Sequence, residues 1–428
     1  MKTLKTFATL TLAAALTLSV ASCGSKNPAD NQSGNNSDGS TAAINWINTK
    51  DDIATPLSEL VSSFNTAHPE IAVTVETLGS NSDEVIQSRD AAGKLPDIFP
   101  VFNLGEDALS SWVNAGKIAD VSQLKAFQAL PDEIKDMVTN SDGKAYSIIL
   151  STTAYGIIYN KDLFTQAGIT EIPRTISEME AVCGQLKGAG ITPFALGAKD
   201  GWTVGNQIWR AGLDYVFPQE WHDDFIAGTG SFKDHGHEIF PFLDLVLANC
   251  NENPLDTDYM TQLAMMAEGE AAMACQGPWA YTNIIDMAPE MKDKFGFFPL
   301  TFNDSAEENP IWIMQEMAYV VSAQADMEAV DTFLEYIVLG DGQELFGQGV
   351  NVMNPYDIPY AGNCVWDDVE KYMEEGYTFD YQDNNRPNDF FTVDSTALQE
   401  YIGGTLTQDQ VLEKMDAAWV EIQAKSGK

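Results

Sequence analysis

The stretch INWINTKDDIATPLSELVSSFNTAHPEIAVTV, residues 44–75, decides the fold. It begins with the short apolar run INWI (44–47), which has the composition of a strand. Four apolar residues then follow at i, i+3, i+4 and i+7, on one face of a helix: Leu57, Leu60, Val61 and Phe64. The run IAVTV (71–75) predicts a second strand. Strand, helix and strand in this order form the unit of an open α/β sheet.

The same pattern recurs further along the chain. LPDIFPVF (95–102) predicts a strand, and AYGIIYN (154–160) predicts another. Thr175 and Glu178 form a capping box that opens a helix, which we expect to end at Gly188-Ala189-Gly190. Apolar residues between 329 and 338 predict a further amphipathic helix. Two α/β stretches separated by about 100 residues indicate two lobes.

Length and charge narrow the classes of function. A chain of 428 residues exceeds one ordinary hydrophobic core, so two domains or lobes are expected. The formal net charge is -40, from 63 acidic and 23 basic residues. Nucleic-acid binding needs Lys and Arg to neutralise phosphates, so this charge argues against it. We expect most of the acids on a solvated surface, with an acidic cleft for a cationic ligand as the alternative.

The N-terminus has the layout of a secretory signal. Lys2 and Lys5 precede the apolar run TFATLTLAAALTLSVAS (6–22), so residues 1–22 are predicted to be a signal peptide. The letters LSVASC resemble a lipobox, which predicts that cleavage exposes Cys23 for lipidation. The alternative is a plain signal peptide followed by an unrelated cysteine. The polar segment after Cys23, to residue 42, predicts a flexible tether.

Motifs for catalysis or metal binding are missing from the sequence. It contains no GxSxG and no Walker motif, and adjacent acid pairs are expected by chance among 63 acids. Three histidines, His222, His235 and His237, lie among acids in WHDDFIAGTGSFKDHGHEIF (221–240). Their spacing matches no HExxH motif, so we predict a solvated loop there rather than a metal site. We therefore predict no catalytic residue, no metal and no cofactor.

Four cysteines remain after Cys23: Cys183, Cys250, Cys275 and Cys364. They form no CxxC pair, which argues against a zinc site. Free thiols and one or two disulfides are both compatible with an extracellular location.

Tryptophans that directly follow turn-prone residues give the strongest binding signal. Trp202 follows Lys199-Asp200-Gly201, Trp279 follows Gly277-Pro278, and Trp312 follows Asn309-Pro310-Ile311. Aromatic faces beside a few polar groups suit sugar rings, which have apolar C–H faces and hydroxyls that need partners. We predict that Asp200 and these three tryptophans belong to a ligand cleft.

Polar and aromatic residues also follow two predicted strands. Asn48, Lys50 and Asp51 come after INWI, while Phe102 ends LPDIFPVF and Asn103 follows it. Open α/β sheets bind ligands outside the carboxyl ends of their strands. We therefore predict that these five residues contact a hydroxyl-rich ligand.

From about residue 43 to the end, the chain resembles the extracellular sugar-binding proteins of ABC importers, the group that includes maltose-binding protein. Several motifs, in order along the chain, carry this resemblance: WIN (46–48), LPDI (95–98), IYNKDLF (158–164), AGI (167–169), GE with AM (269–273) and GPWA (277–280). The IYNKDLF and GPWA matches are the more specific ones.

The resemblance implies an α/β, two-lobed type II periplasmic-binding-protein fold, with a hinge and a ligand cleft between the lobes. In such proteins the tryptophan of GPW stacks on a sugar ring, so Trp279 is expected to be a platform. Other matching positions are Lys50, Asp51, Thr153, Trp202 and Phe390. Thr153 replaces a carboxylate of maltose-binding protein, and the charge order at Lys50-Asp51 is reversed. These departures argue against maltose and leave an oligosaccharide as the expected ligand.

The sequence thus predicts a lipid-anchored receptor that captures a sugar outside the cytoplasmic membrane and delivers it to an ABC permease. We expect a monomer without enzymatic activity. Lobe 1 is predicted to comprise 43–150 with 311–355, and lobe 2 to comprise 151–310 with 356–428. A surface glycoside hydrolase is one alternative, and a binding protein for a cationic or peptide ligand is the other.

Overall fold

The first strand–helix–strand unit comprises β1 (Ala42–Asn48), α1 (Ala54–Ala67) and β2 (Ile71–Thr77). The two strands are parallel, with Ala42 opposite Ile71. The buried face of α1 consists of the four residues at helical spacing, Leu57, Leu60, Val61 and Phe64. The α/β unit predicted from residues 44–75 is therefore confirmed.

The computed structural model describes residues 41–50, 53–79, 82–101, 106–350, 353, 355–356, 362–376, 378–380 and 389–426. The residues from Thr41 onwards form one compact unit. The predicted signal peptide, Cys23 and most of the predicted tether lie outside the described residues, as do Asp51, Phe102 and Asn103.

The remaining strands are β3 (Ile98–Val101), β4 (Ile148–Tyr155), β5 (Ile157–Asn160), β6 (Thr192–Phe194), β7 (Ala271–Cys275), β8 (Phe295–Phe298), β9 (Ile311–Val321) and β10 (Thr378–Asp380). The remaining α-helices are α2 (Ser82–Ala91), α3 (Glu106–Asn114), α4 (Lys125–Gln128), α5 (Asp132–Val138), α6 (Lys161–Gln166), α7 (Ile176–Gly188), α8 (Trp202–Val204), α9 (Ala211–Val216), α10 (Gln219–Ile226), α11 (Phe240–Ala248), α12 (Tyr259–Ala267), α13 (Trp279–Met287), α14 (Met327–Val338), α15 (Gln343–Val350), α16 (Cys364–Glu374), α17 (Asp389–Ile402) and α18 (Gln408–Ser426). A π-helix spans Gly205–Arg210, and 3-10 turns span Gly236–Glu238, Pro289–Met291 and Ala306–Glu308.

The first sheet is organised around the long strand β9. Its strand order is β10-β9-β3-β1-β2, and β4 pairs with the opposite edge of β9. The three strands β1, β2 and β3 are parallel to one another, whereas β9 runs antiparallel to β3 and β4. The carboxyl ends of β1 and β3 therefore lie at one edge, where an open α/β sheet binds its ligands.

The second sheet is smaller and has the order β6-β7-β5-β8. The pairs β5·β7 and β5·β8 are antiparallel, and β6 is parallel to β7. The buried apolar side chains fall into two clusters, with Trp46 and Phe333 in the first and Trp209 and Phe298 in the second, and each cluster includes side chains from both sheets.

The chain passes between the two sheets more than once. It passes from the first to the second between β4 and β5, and it returns between β8 and β9. After β10 it leaves the first sheet again, because α17 and α18 contribute buried residues to the second cluster. The C-terminal segment thus supplies a strand to one sheet and helices to the other. The lobe boundaries stay a prediction.

Two local predictions from the sequence need correction. AYGIIYN is not one strand, because β4 ends at Tyr155 and β5 begins at Ile157, with Gly156 between them. The start of the stretch 221–240, predicted to be a solvated loop, belongs to helix α10, since Trp221 and Phe225 are buried in the second cluster. His222 of that helix is buried as well, with Nε2 3.7 Å from Asp214 Oδ1.

The capping box at the start of α7 is confirmed in its main feature. The Thr175 hydroxyl accepts a hydrogen bond from the Glu178 amide at 3.2 Å. The Glu178 carboxylate accepts from the amide of Arg174 at 2.8 Å, one residue before the cap. The helix ends at Gly188, as predicted.

The described cysteines are all free, and they differ in burial. Burial raises the pKa of the Cys183 thiol to about 12, and it also raises the pKa of Cys275. Burial raises the pKa of Cys250 and Cys364 as well, but both side chains are only partly buried and so remain accessible to a reagent. We expect a thiol reagent at mildly alkaline pH to label Cys250 and Cys364 in the folded protein and Cys183 and Cys275 only after unfolding, because the thiolate is the reactive form. Peptide mapping of the labelled sites tests this, and labelling of folded Cys183 at the rate of Cys250 would contradict it.

Candidate ligand-binding site

The passage from β4 to β5 brings the two sheets together. Tyr155 pairs with Trp312 in the first sheet, while Ile157 pairs with Cys275 and Phe298 in the second. Between them, the Gly156 carbonyl accepts a hydrogen bond from the Gln276 amide at 3.1 Å. A Cβ atom on Gly156 would lie 2.5 Å from the Phe298 carbonyl oxygen. The backbone at this passage is therefore packed too closely for any side chain.

Trp279 stands where this passage meets helix α13. It is the first residue of the helix, and Pro278 is its N-cap. Its indole is partly buried and packs against both hydrophobic clusters, whereas Ala280 and Tyr281 are buried. The ring meets Tyr155 edge to face, with centroids 5.3 Å apart and an interplanar angle of 69°. The tryptophan predicted to be a platform thus lies at the junction of the two clusters.

The glycine before this turn lies directly beneath the indole. A Cβ on Gly277 would lie 1.9 Å from Cζ3 of Trp279. The chain therefore needs glycine at this position to let the ring lie in its observed orientation.

Substitution Gly277→Ala is expected to displace the indole and to weaken ligand binding by about ten-fold, since a misplaced anchor loses most of its contact. The loss of stability should be modest, about 1–3 kcal/mol, as for other overpacked sites. Titration calorimetry with the identified ligand measures the first effect, and chemical denaturation measures the second. Gly184→Ala, at a helical position with nothing within 4 Å of the added Cβ, is the matched control. Unchanged affinity in Gly277→Ala would show that the ring orientation is unimportant.

Lys50 follows the carboxyl end of β1 and reaches over the indole of Trp279. Its Nζ is 5.7 Å from the centroid of the indole and forms an ion pair with Glu316 of β9. Asn48 holds the backbone of this loop, because its Oδ1 accepts from the Lys50 amide at 3.0 Å and its Nδ2 donates to the Lys50 carbonyl at 2.6 Å. The Asn48 side chain also donates to Thr77 at 3.1 Å. Asn48 thus positions Lys50.

Side chains on one face of the first sheet face this junction. Trp312 and Met314 alternate along β9, so they share a face. Their partners on β4 are Tyr155 and Thr153, and the register then shifts at Glu316, which lies between the partners of Thr152 and Ser151. Thr153 is fully buried, and its hydroxyl has no hydrogen-bond partner among the described residues.

Trp202, a second partly buried tryptophan, lies at the start of α8. Its ring contacts Tyr259 of α12, with centroids 4.9 Å apart. The Asp200 carboxylate accepts from the Tyr259 amide at 2.8 Å, so it holds the start of α12. The same helix carries Gln262, whose Oε1 accepts from Gln276 Nε2 at 3.2 Å, three residues before Trp279. Helix α12 thus connects the surroundings of Trp202 to those of Trp279.

Two predicted contact residues are core residues in the structure. Trp312 is 0% exposed and packs beneath Tyr155, with centroids 4.5 Å apart. Phe390 is also 0% exposed, because it stacks on Phe232 and meets Trp419 edge to face. Neither ring offers a free face, so we leave both out of the candidate site.

The sequence did not predict three residues of the candidate site, namely Tyr155, Glu316 and Gln207. Burial raises the pKa of Tyr155, and the side chains of Arg210 and Gln207 oppose this shift. Gln207 lies in the π-helix Gly205–Arg210, a type of distortion that is frequent at functional sites. An aromatic residue directly before the glycine of AYGIIYN was the available signal for Tyr155. Nothing local marks Glu316.

Within the described residues, no group of three or more His, Cys, Asp and Glu side chains is placed to hold a metal ion. No helix in the same part of the chain is both long enough and apolar enough to cross a bilayer.

A family model described as bacterial extracellular solute-binding protein matches residues 48–344. A multiple sugar-binding protein of Streptococcus mutans is 22% identical over 379 residues, which cover 83% of this chain and 86% of that protein. The melibiose/raffinose/stachyose-binding protein MelE of Bacillus subtilis is 21% identical over 402 residues, covering 86% of each.

Solved structures have the same fold. A chitin oligosaccharide binding protein superposes with a TM-score of 0.77 at 24% identity, covering 90% of this chain and 98% of that one. RafE in complex with raffinose gives a TM-score of 0.71 at 22% identity, covering 88% and 98%. The predicted two-lobed α/β fold is thereby confirmed.

Proposed function

Because this chain belongs to the family of bacterial extracellular solute-binding proteins, we propose that it is the sugar receptor of an ABC importer and that its ligand is an oligosaccharide. The sugar-binding relatives named above support the ligand class. The receptor delivers the bound sugar to the permease in the cytoplasmic membrane and acts as a monomer.

The observation that carries this proposal is the setting of Trp279. A partly buried indole rests edge-on against Tyr155, touches both hydrophobic clusters and has the Lys50 ammonium beside it. A sugar ring can lay its C–H face on such an indole while polar groups at the rim bind its hydroxyls. In this proposal, the sugar lies between the two lobes and the lobes close over it.

The proposal includes no catalytic step. A glycoside hydrolase needs two carboxyl groups that face each other across the cleft. Glu316, an acid beside Lys50 in the described part of the chain, is already ion-paired. The same pairing argues against a cationic ligand, since the carboxylate has its counter-charge. We therefore prefer a binding protein for a neutral solute to both alternatives.

The experiment is a titration of the chain without its predicted signal peptide against a glycan panel. The panel consists of raffinose, stachyose, mannobiose, chitobiose and a cationic peptide, with tryptophan fluorescence and calorimetry as readouts. We expect saturable binding of at least one sugar without turnover, together with a smaller radius of gyration in X-ray scattering. Hydrolysis of the bound sugar would support the enzyme alternative, and binding of the peptide alone would support the other one.

We propose further that the receptor is anchored at the cell surface through lipidated Cys23. The variant Cys23→Ser should appear in the medium or keep its signal peptide, because no thiol remains for the lipid. Fractionation of membranes and medium, with mass spectrometry of the N-terminus, measures this. Unaltered membrane retention with normal processing would contradict the anchor.

A further inference from the structure

Glu316 lies at the edge of the first sheet where ligands are expected. The register between β3 and β9 ends with Val101 opposite Ala318, so Glu316 lies beyond the carboxyl end of β3. Trp312 and Met314, earlier in β9, are buried in the second cluster. Glu316 follows them where the register between β4 and β9 shifts, and it supplies a carboxylate there.

The environment of this carboxylate is unusual for a residue with a purely structural role. The Glu316 side chain is 8% exposed and pairs with Lys50, whose side chain is 24% exposed. Removal of two charges from water is costly, and a buried ion pair can often be replaced by apolar residues without loss of stability. The Lys50 member of the pair also lies over a partly buried indole rather than inside a core. Stability alone therefore does not account for it.

We propose that Glu316 and Lys50 form the polar wall of the sugar site next to Trp279, and that their mutual neutralisation selects uncharged sugars. This inference rests on the proposed function. The carboxylate accepts hydrogen bonds from sugar hydroxyls, and the ammonium donates to sugar oxygens. Since the two charges cancel, a neutral sugar finds both partners without a net field. A uronic acid would bring a second carboxylate close to Glu316, in a poorly solvated place where like charges repel strongly.

The test compares Glu316→Gln with the wild type on neutral and anionic probes. The neutral probes are raffinose, stachyose, mannobiose and chitobiose, and the anionic probe is digalacturonic acid. We expect the variant to bind the neutral sugar about ten-fold or more weakly, because a charged hydrogen-bond partner is lost. Binding of digalacturonic acid should improve relative to the neutral sugar, since Lys50 then has no counter-charge from residue 316.

Two further variants separate charge from structure. Glu335→Gln removes a carboxylate of α14 that pairs with Lys125 of α4; it is the matched control and should bind like the wild type. The double variant with Lys50→Gln and Glu316→Gln restores neutrality, so it should lose affinity for the neutral sugar without gaining any for the anionic one. Melting temperatures of all variants show that the proteins compared are folded.

The outcomes distinguish this inference from the proposed function. If the wild type binds a neutral sugar and Glu316→Gln binds it equally well, Glu316 is structural. The inference is then overturned, while the proposed function stands. A wild type that prefers digalacturonic acid would also overturn it. If the wild type binds none of the sugars, the proposed function fails and the inference fails with it.

Discussion

The variant Trp279→Ala is expected to bind its sugar about thirty-fold more weakly than the wild type, a loss of roughly 2 kcal/mol. An aromatic anchor in a partly desolvated site typically carries this much of the binding free energy. The loss of stability should stay below the roughly 3–5 kcal/mol of a buried tryptophan, because the indole is only partly buried. Calorimetric titration and chemical denaturation of the same preparations measure both quantities.

Trp112 offers a matched control for this experiment. It is also partly buried, packs against Phe99 with centroids 5.4 Å apart and donates to Asp90 at 3.2 Å. The variant Trp112→Ala should therefore lose stability without losing affinity. A Trp279→Ala protein that unfolds far more easily, yet binds normally while folded, would show that Trp279 is a structural residue.

The second large effect is expected at Gly156. An added Cβ would lie 2.5 Å from the Phe298 carbonyl oxygen and 2.7 Å from the Phe297 ring. The backbone has little freedom to move away, because Gln276 donates to the Gly156 carbonyl and Ile157 pairs on both sides. We expect Gly156→Ala to lower the free energy of unfolding by about 1–3 kcal/mol or more.

Chemical denaturation tests this prediction against Gly184→Ala. Gly184 lies within α7, and a Cβ there meets nothing within 4 Å, so alanine should be neutral or stabilise by up to about 1 kcal/mol. The two substitutions add the same methyl group, so the difference between them isolates the crowding at Gly156. Equal stability of the two variants would mean that the passage can relax.

The sequence predicted well those elements whose structure depends on residues close together in the chain. The buried face of α1 follows from apolar spacing, and the start of α7 follows from a hydrogen bond over three residues. The interruption of the strand at Gly156 was not predicted by such local reasoning. AYGIIYN has strand composition apart from its glycine, and the residues that crowd this glycine, Phe297 and Phe298, lie about 140 residues away.

The candidate site likewise contains features that the sequence predicts and features that it does not. Trp279 and Trp312 both follow turn-prone residues, yet one begins a helix at a junction and the other is buried within a long strand. Which of the two exposes its ring depends on the packing of β9 against β4 and the second cluster. The pairing of Lys50 with Glu316 likewise joins residues far apart in the chain, so no local pattern indicates it.

The central position of β9 also has a consequence for biosynthesis. Ile98 of β3 pairs with Val321 of β9. More than half of the chain is synthesised between these two residues. Until β9 emerges, the nascent chain has an unpaired strand edge, which is a site for aggregation. Such long-range pairing also slows folding, because the entropy of closing a long loop is lost before the stabilising contacts form. The rate-limiting step of folding is therefore expected to be the docking of β9, and substitutions in β9 should slow refolding more than equally destabilising substitutions in α18.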